Sequence, residues 1–193
     1  MDQINVVGAD AMTHNSLFED SKNFDETIQE YVNYAKKNSE QTFIDACKAK
    51  GLIAQEATKK QDMHEHWDVK VTNPKTNKTY LVDVKGARKK SRQDERLDYE
   101  ITWLEYKNTY GNDGSLFGKA DDIAFEQKDH FLICNRKDLI NWLDKKITNK
   151  DLVYNARDAD YRIYQRKDRK DQITRVLIKD IKNEVKFRTL NYA

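Results

Sequence analysis

Two aspartates and a lysine lie in a stretch of the chain whose alternating pattern predicts a β-hairpin. Asp68 belongs to the first predicted strand, His66–Thr72, and Asp83 and Lys85 belong to the second, Tyr80–Lys85. Asp83 and Lys85 share a face of their strand, because side chains two positions apart leave the same side. Two carboxylates held close together repel each other unless a cation lies between them, and such oxygen ligands suit Mg²⁺ or Mn²⁺. The pattern therefore predicts a divalent metal site with a lysine beside it.

The chemistry that such a group supports is hydrolysis at phosphorus. A lysine ammonium can stabilise the negative charge that develops on a phosphorane, or help to position and deprotonate a water. Together with a divalent cation, Lys85 would supply the groups needed for metal-assisted hydrolysis of a phosphodiester.

A helix and a strand precede the hairpin. Residues 39–50 (SEQTFIDACKAK) predict an amphipathic helix, and Gly51 follows at the position where a left-handed residue ends a helix. Glu40 lies three residues before Phe43 and four before Ile44, so it falls on the apolar face of this helix. A carboxylate in the first turn also favours the positive end of the helix dipole, which is the alternative explanation for its position.

This order of elements resembles the PD-(D/E)xK nuclease superfamily. The family signature is an acidic residue at the end of one strand, followed after a short hairpin by Asp/Glu-x-Lys on the next strand, usually with a glutamate from the preceding helix. The matching residues are Asp68, then 83–85 (Asp-Val-Lys), with Glu40 in the helical position. Trp67 stands where the family name has proline. The resemblance covers about residues 39–90.

The resemblance implies a nuclease that hydrolyses DNA with Mg²⁺ or Mn²⁺. Asp68 and Asp83 would bind the metal with help from the Val84 carbonyl, Lys85 would orient or activate the water, and Glu40 would complete the outer coordination. The alternative is a non-catalytic nucleic-acid-binding protein that keeps the nuclease-like fold, and metal dependence separates the two. The resemblance leaves open whether the substrate is DNA or RNA, and whether it is a duplex, a single strand or a junction. It also leaves open whether the protein forms a homodimer.

Three other segments compete for a functional role. The triplet Glu105-Tyr106-Lys107 has the same spacing, but we interpret it as an exposed cross-strand charge pair. The segment His64-Glu65-His66 offers too few nearby ligands for a zinc site, and a loop histidine near the DNA is favoured over zinc. Residues 119–122 predict the start of a helix, either solvated or equivalent to the family's second core helix.

Basic residues are concentrated in the second part of the chain. Residues 1–68 carry a formal charge of −6 and residues 69–193 a charge of +8. A basic region is the pattern expected of a protein that binds phosphate backbones, although a solvated charged face is an equal alternative. The predicted DNA-binding residues follow the strand that carries Asp83 and Lys85, and they are Arg88, Lys89, Lys90 and Arg92. The next candidates form a C-terminal cluster of Arg166, Lys167, Arg169 and Lys170.

The fold class that these patterns predict is mixed α/β, with a restriction-endonuclease-like core. We expect one domain over residues 1–193: an N-terminal helix at 24–37, a core at about 39–147 with a mixed central sheet flanked by helices, and a C-terminal β-strand extension at 152–190. Core strands are predicted at Glu100–Asn108 and His130–Cys134, and a helix that Asn135 caps is predicted to run to about Ile147. The segment ITRVLIKDI, residues 173–181, is predicted as a strand.

Composition sets the remaining expectations. Of the 193 residues 38% are hydrophobic and 35% charged, and the six glycines and one proline favour long regular elements. No apolar run approaches the roughly 18 residues of a membrane span, so no membrane partner is expected. Cys47 and Cys134 lie in apolar segments and predict buried free thiols in a reducing, cytoplasmic compartment.

Overall fold

The computed structural model describes residues 39–91, 94–149 and 151–192. The helices of these residues are α1 (39–49), α2 (Lys59–Glu65), α3 (Arg136–Lys146) and α4 (Ile178–Glu184). The strands are β1 (Ile53–Glu56), β2 (Val69–Asn73), β3 (Lys78–Lys85), β4 (Arg88–Ser91), β5 (Asp94–Asp98), β6 (Ile101–Lys107), β7 (Asp122–Glu126), β8 (His130–Asn135), β9 (Leu152–Val153), β10 (Ile163–Gln165), β11 (Gln172–Leu177) and β12 (Phe187–Asn191). The helix predicted at 24–37 lies outside the described residues.

A six-stranded mixed sheet is the centre of the fold. Its spatial order is β1-β2-β3-β7-β8-β12, and every neighbouring pair is antiparallel except β3 and β7, which are parallel. A four-stranded sheet, β6-β11-β10-β9, and the β4-β5 hairpin complete the strands of the described part. The mixed α/β class predicted from the sequence is confirmed, and the described residues all belong to one compact unit.

The central sheet buries a different hydrophobic cluster on each face. On one face α1 packs against alternate residues of β2 and β3, and on the other α3 and α4 pack against β7 and β8 together with β6 and β11. Alternation along β3 places Val82 and Val84 on the α1 face. Asp83 and Lys85 therefore lie on the opposite face.

Helix α1 ends, and helix α3 begins, where local signals predict. Gly51 follows α1 with φ of 72°, and its N–H donates to the Lys48 carbonyl at 2.9 Å. Asn135 caps α3, because its side-chain oxygen accepts hydrogen bonds from the N–H groups of Lys137 and Asp138 at 3.1 and 3.3 Å. The strands predicted near Ile53, at Glu100–Asn108 and at His130–Cys134 are also confirmed.

The helix start predicted at residues 119–122 is wrong. The Asp121 N–H donates to the Leu81 carbonyl at 2.7 Å, and the Leu81 N–H donates to the Asp121 carboxylate at 2.9 Å. These bonds align the segment with β3, so it enters β7. The connection from β3 to β7 contains β4, β5 and β6.

The C-terminal β extension predicted at 152–190 is wrong in two respects. The strand predicted at 173–181 stops at Leu177, and α4 begins at Ile178, whose N–H donates to the Glu100 carbonyl at 2.8 Å. Ile178 and Ile181, one turn apart, are both buried in the cluster beside α3. Strand β12 then pairs with β8 and belongs to the central sheet.

Helix α2 was not predicted, although its start has a recognisable signal. Thr58 and Gln61 form a capping box, in which each side chain accepts a hydrogen bond from the backbone N–H of the other residue. The helix has no buried residues, so hydrophobic periodicity cannot reveal it. Within the described ranges, no helix has the length and hydrophobicity that a bilayer span requires.

Gly118→Ala is expected to lower the free energy of unfolding by about 1–3 kcal/mol, through overpacking. A Cβ at Gly118 would lie 2.5 Å from the Cβ of His66 and 2.7 Å from the Glu65 carbonyl oxygen. Neither atom is at the flexible end of a side chain, so the backbone must shift. Urea denaturation followed by circular dichroism measures the change.

Gly51→Asn is the control for that substitution. No atom lies within 4 Å of a Cβ at Gly51, and asparagine tolerates its left-handed conformation. We expect a loss below about 1 kcal/mol. A Gly118→Ala protein as stable as this control would show that the loop before β7 does not pack against α2.

Candidate active site

The β2-β3 hairpin brings Asp68 and Asp83 to neighbouring positions. The register pairs Val69 with Val82, and its continuation by one residue places Asp68 opposite Asp83 on the same face. Each aspartate is 4% exposed. The structure therefore buries two carboxylates side by side at the end of the hairpin nearest β4.

Asp68 is held by hydrogen bonds to backbone groups of two segments, strand β3 and the loop that contains Ala57. Its N–H donates to the Val82 carbonyl at 2.9 Å, and its carbonyl accepts the Ala57 N–H at 2.7 Å. Its carboxylate oxygen Oδ2 accepts the Val84 N–H at 2.7 Å in a buried position. This last bond places the carboxylate beside β3, one residue from both Asp83 and Lys85.

Lys85 forms an ion pair with Asp83. Lys85 Nζ lies 2.8 Å from Asp83 Oδ2, and the lysine side chain is 23% exposed. The contact lacks hydrogen-bond geometry, and no hydrogen bond within the described ranges satisfies this buried oxygen. The negative charge of Asp83 is thus balanced by Lys85, but its Oδ2 can still accept a hydrogen bond. A carboxylate in this condition can bind a further cation.

Hydrogen bonds around Glu65 hold the residues that directly precede Asp68. Trp67 is buried, and its Nε1–H donates to Glu65 Oε2 at 2.9 Å. Lys119 Nζ donates to Glu65 Oε1 at 3.0 Å, and the Lys119 N–H donates to the Glu65 carbonyl at 2.7 Å. The hydrogen bonds from Trp67 and then Lys119 lower the pKa of Glu65.

This network was not predicted, because Lys119 is distant in the chain and Glu65 was considered as a zinc ligand. His66, its neighbour, ends α2 in the left-handed region with φ of 54°. His64 is exposed in the last turn of the same helix.

Glu40 lies in α1, which packs on the face of the sheet opposite Asp83. Its neighbour Ser39 donates to Glu126 Oε2 at 2.7 Å, and the Ala87 N–H donates to the same oxygen at 2.8 Å. Glu40 therefore lies near the end of β3, and its predicted role stays a prediction. Glu126 itself was missed, because β7 was not predicted as a strand.

The donor set at this site consists of two carboxylates. Among the described residues, no group of three or more histidines, cysteines, aspartates and glutamates is arranged to hold a metal ion. Val84, whose carbonyl was predicted as a further ligand, is buried in β3 between the two charged residues.

The basic residues after the catalytic strand are only partly described. Arg88 and Lys89 lie in β4, whereas the side chain of Lys90 and the whole of Arg92 fall outside the described part of the chain. Desolvation and then the positive charge of Arg166 lower the pKa of Arg88, so the two basic segments recognised in the sequence interact electrostatically.

The second triplet, Glu105-Tyr106-Lys107, lies in β6 outside the central sheet. Glu105 is opposite Ile173 and Lys107 is opposite Gln172, so the residues facing them on β11 are uncharged. Both cysteines are buried free thiols, as predicted, and burial raises the pKa of Cys47 and of Cys134 to about 12.

Comparisons of this chain with family models, curated proteins and solved structures found no match. The functional argument therefore rests on the residues and their geometry.

The Asp83–Lys85 ion pair predicts a non-additive pair of substitutions. In EDTA, Lys85→Met should lower the free energy of unfolding by about 1–3 kcal/mol, because it leaves a buried carboxylate without its cation, and the partial exposure of Lys85 limits the effect. Asp83→Asn should be nearly neutral or stabilising, since it relieves repulsion with Asp68. The double variant should recover most of the loss.

Lys119→Met is the matched control, because its ion pair with Glu65 is exposed and worth less than about 1 kcal/mol. Urea denaturation of the five proteins gives the coupling free energy. Additive effects of Lys85→Met and Asp83→Asn would contradict the ion pair.

Proposed function

We propose that this protein is a metal-dependent nuclease that hydrolyses DNA phosphodiester bonds. The observation that carries the proposal is the pair of buried carboxylates of Asp68 and Asp83, with the ammonium of Lys85 at 2.8 Å from one of them. Two carboxylates buried side by side repel each other, and a divalent cation between them offsets that repulsion.

The order of elements supports a restriction-endonuclease-like core. Helix α1, strand β1, helix α2 and the hairpin β2-β3 follow one another, and β7 pairs in parallel with β3. The helix, the first strand and the aspartate hairpin are the elements that the resemblance to the PD-(D/E)xK superfamily leads us to expect, with Asp68 directly before β2 and the Asp-x-Lys triplet at the end of β3. Between β3 and β7 the chain has β4, β5 and β6, and not the second core helix that was one interpretation of residues 119–122.

The residues present fit Mg²⁺ or Mn²⁺. Asp83 Oδ2 is a buried acceptor without a hydrogen bond in the described part of the chain. Mg²⁺ is commonly bound by one or two protein carboxylates, with substrate phosphate and waters as its other ligands. Asp68 and Asp83 would hold the ion with the Val84 carbonyl, and a bound ion would act as a Lewis acid on a phosphoryl oxygen.

The other residues of the chain supply positioning and charge. Lys85, which is partly exposed at the end of β3, would hold a water or stabilise charge on the phosphate. Glu40 would act from α1 on the outer coordination. The Val84 N–H keeps the Asp68 carboxylate in place through its 2.7 Å hydrogen bond.

The substrate backbone would follow the basic residues that leave this site. Arg88 is three residues after Lys85, so its Cα lies at most about 11 Å away along an extended chain. Arg166, in the loop between β10 and β11, acts on Arg88 through its positive charge and is itself held by the buried Asp171, with Nη2 at 2.5 Å from Oδ2. Guanidinium groups are well suited to bind phosphates.

A non-catalytic nucleic-acid-binding protein is the second candidate. The observation that favours it is the lack of a third carboxylate or imidazole ligand around Asp68 and Asp83 among the described residues. Such a protein would use the basic segments without a response to metal.

Metal binding is expected to raise the melting temperature. Millimolar Mn²⁺ or Mg²⁺ should stabilise the folded protein by mass action, and Asp83→Asn should remove the rise while the protein stays folded. Differential scanning fluorimetry in each metal and in EDTA measures it, with Asp129→Asn, an exposed aspartate outside the site, as the control. Equal melting curves for the parent protein in Mn²⁺ and in EDTA would contradict the metal site.

Lys85→Ala is expected to lower the rate of DNA cleavage by roughly 10²- to 10⁴-fold, the range for a positioned proton-transfer or charge-stabilising group, with DNA affinity nearly unchanged. Cleavage of plasmid, single-stranded circle and four-way junction in Mg²⁺, Mn²⁺ or EDTA gives the rates.

Lys107→Ala, in the second triplet, is the control and should keep the cleavage rate of the parent at saturating DNA concentrations. Cleavage that survives Lys85→Ala but is lost in Lys107→Ala would show that the chemistry belongs to β6 and that its assignment to β3 is wrong. Binding without cleavage of any substrate would favour the non-catalytic candidate.

A further inference from the structure

A polar pocket of about 310 Å³ lies between the end of β6 and the loop that joins β10 to β11. It lies outside the central sheet that carries Asp68 and Asp83. Its lining combines two lysines, two glutamines, one tyrosine and one glycine: Lys107, Lys170, Gln165, Gln172, Tyr110 and Gly111.

Tyr110 presents its ring from an ordered turn. The ring belongs to a residue that is 80% exposed, the highest value among the exposed large hydrophobic side chains of the described residues. The side chain of Asn108 accepts the N–H groups of Tyr110 and Asn112 at 3.0 and 3.1 Å, and its carbonyl accepts the Gly111 N–H at 2.9 Å. An exposed aromatic ring on a hydrogen-bonded turn loses little conformational entropy when it binds a ligand.

The opposite wall of the pocket is also fixed. Gly111 has φ of 85°, and a Cβ there would lie 3.3 Å from two carbons of the Lys170 side chain, so the turn packs along the lysine stem. Gln165 Nε2–H donates to the Arg169 carbonyl at 2.8 Å. The buried Asp171 anchors the same loop through Arg166.

The chemistry of this lining matches one nucleotide. An exposed tyrosine ring can stack on a base, lysine ammonium groups can neutralise a phosphate, and glutamine amides can hydrogen bond to base edges. Bases inside a duplex are stacked on their neighbours, so their faces are not available to a protein ring. The occupant with a free face is an unpaired base.

The pocket and the proposed active site share a basic connection. Lys170 and Arg166 belong to the loop between β10 and β11, and the positive charge of Arg166 acts on Arg88, which follows Lys85 by three residues.

We propose that this pocket binds an unpaired nucleotide of a DNA strand, with the base stacked on Tyr110 and the phosphate at Lys107 or Lys170. The inference rests on the proposed function in taking DNA as the ligand, and it names single-stranded or branched DNA as the substrate class.

The test is fluorescence anisotropy of the full chain in EDTA with a labelled oligo-dT, with a duplex of equal length, and with thymidine monophosphate as competitor. Tyr110→Ala should weaken oligo-dT binding about 5- to 150-fold, the factor that corresponds to one base–aromatic stack, and leave duplex binding unchanged. Tyr110→Phe should bind as the parent does. Tyr154→Ala is the matched control, because Tyr154 is also exposed, at 68%, and does not line the pocket.

Lys107→Gln and Lys170→Gln should each reduce the salt slope for oligo-dT by up to about 0.7. An unchanged affinity in Tyr110→Ala, an equal loss for duplex and single strand, or thymidine monophosphate that binds as tightly as the oligonucleotide would overturn the proposal. The metal-dependent melting shift and the cleavage rates report on the active site separately. Tyr110-dependent binding of oligo-dT by a protein without metal response would reject the nuclease and keep the pocket.

Discussion

Two carboxylates buried on adjacent strands are the constraint on which the candidate site depends. Burial of like charges is unfavourable, and the hairpin offsets it in two ways. The Asp68 carboxylate accepts the Val84 N–H, and the Asp83 carboxylate faces Lys85 at 2.8 Å. Because both partners belong to β3, the balance of charge holds only while β2 and β3 keep their register, since a slip of one residue would exchange the faces.

Other parts of the fold maintain that register. The parallel pairing of β3 with β7 fixes the second strand, and Glu65 ties Trp67, just before Asp68, to Lys119, just before β7. The site therefore depends on a loop that contributes none of its proposed catalytic groups. The same loop leads from Tyr110 and Gly111, so the pocket and the aspartates are connected through one segment of chain.

The sequence predicts the parts of this structure that local signals determine. Alternation defines the β2-β3 hairpin, and Gly51 and Asn135 mark helix boundaries by their own conformational preferences. The sequence does not predict the parts that contacts between distant residues determine. Ile178 continues a run of strand-forming residues, yet its burial beside Ile181 makes the segment helical. The electrostatic effect of Arg166 on Arg88, and the role of Glu126 in holding Ser39 and Ala87, depend on strand order that no local pattern encodes.

The position of β12 has a consequence for synthesis. This strand pairs with β8 at one edge of the central sheet, but α3, the strands β9 to β11 and α4 are all made between the two strands. While a nascent chain emerges, the hydrogen-bonding edge of β8 stays open until residue 191 is available. An open edge next to buried Phe131 and Leu132 is a template for pairing with another chain. Slow translation of the intervening segment would therefore promote aggregation of the nascent chain, while the hairpin that carries the aspartates would be retained.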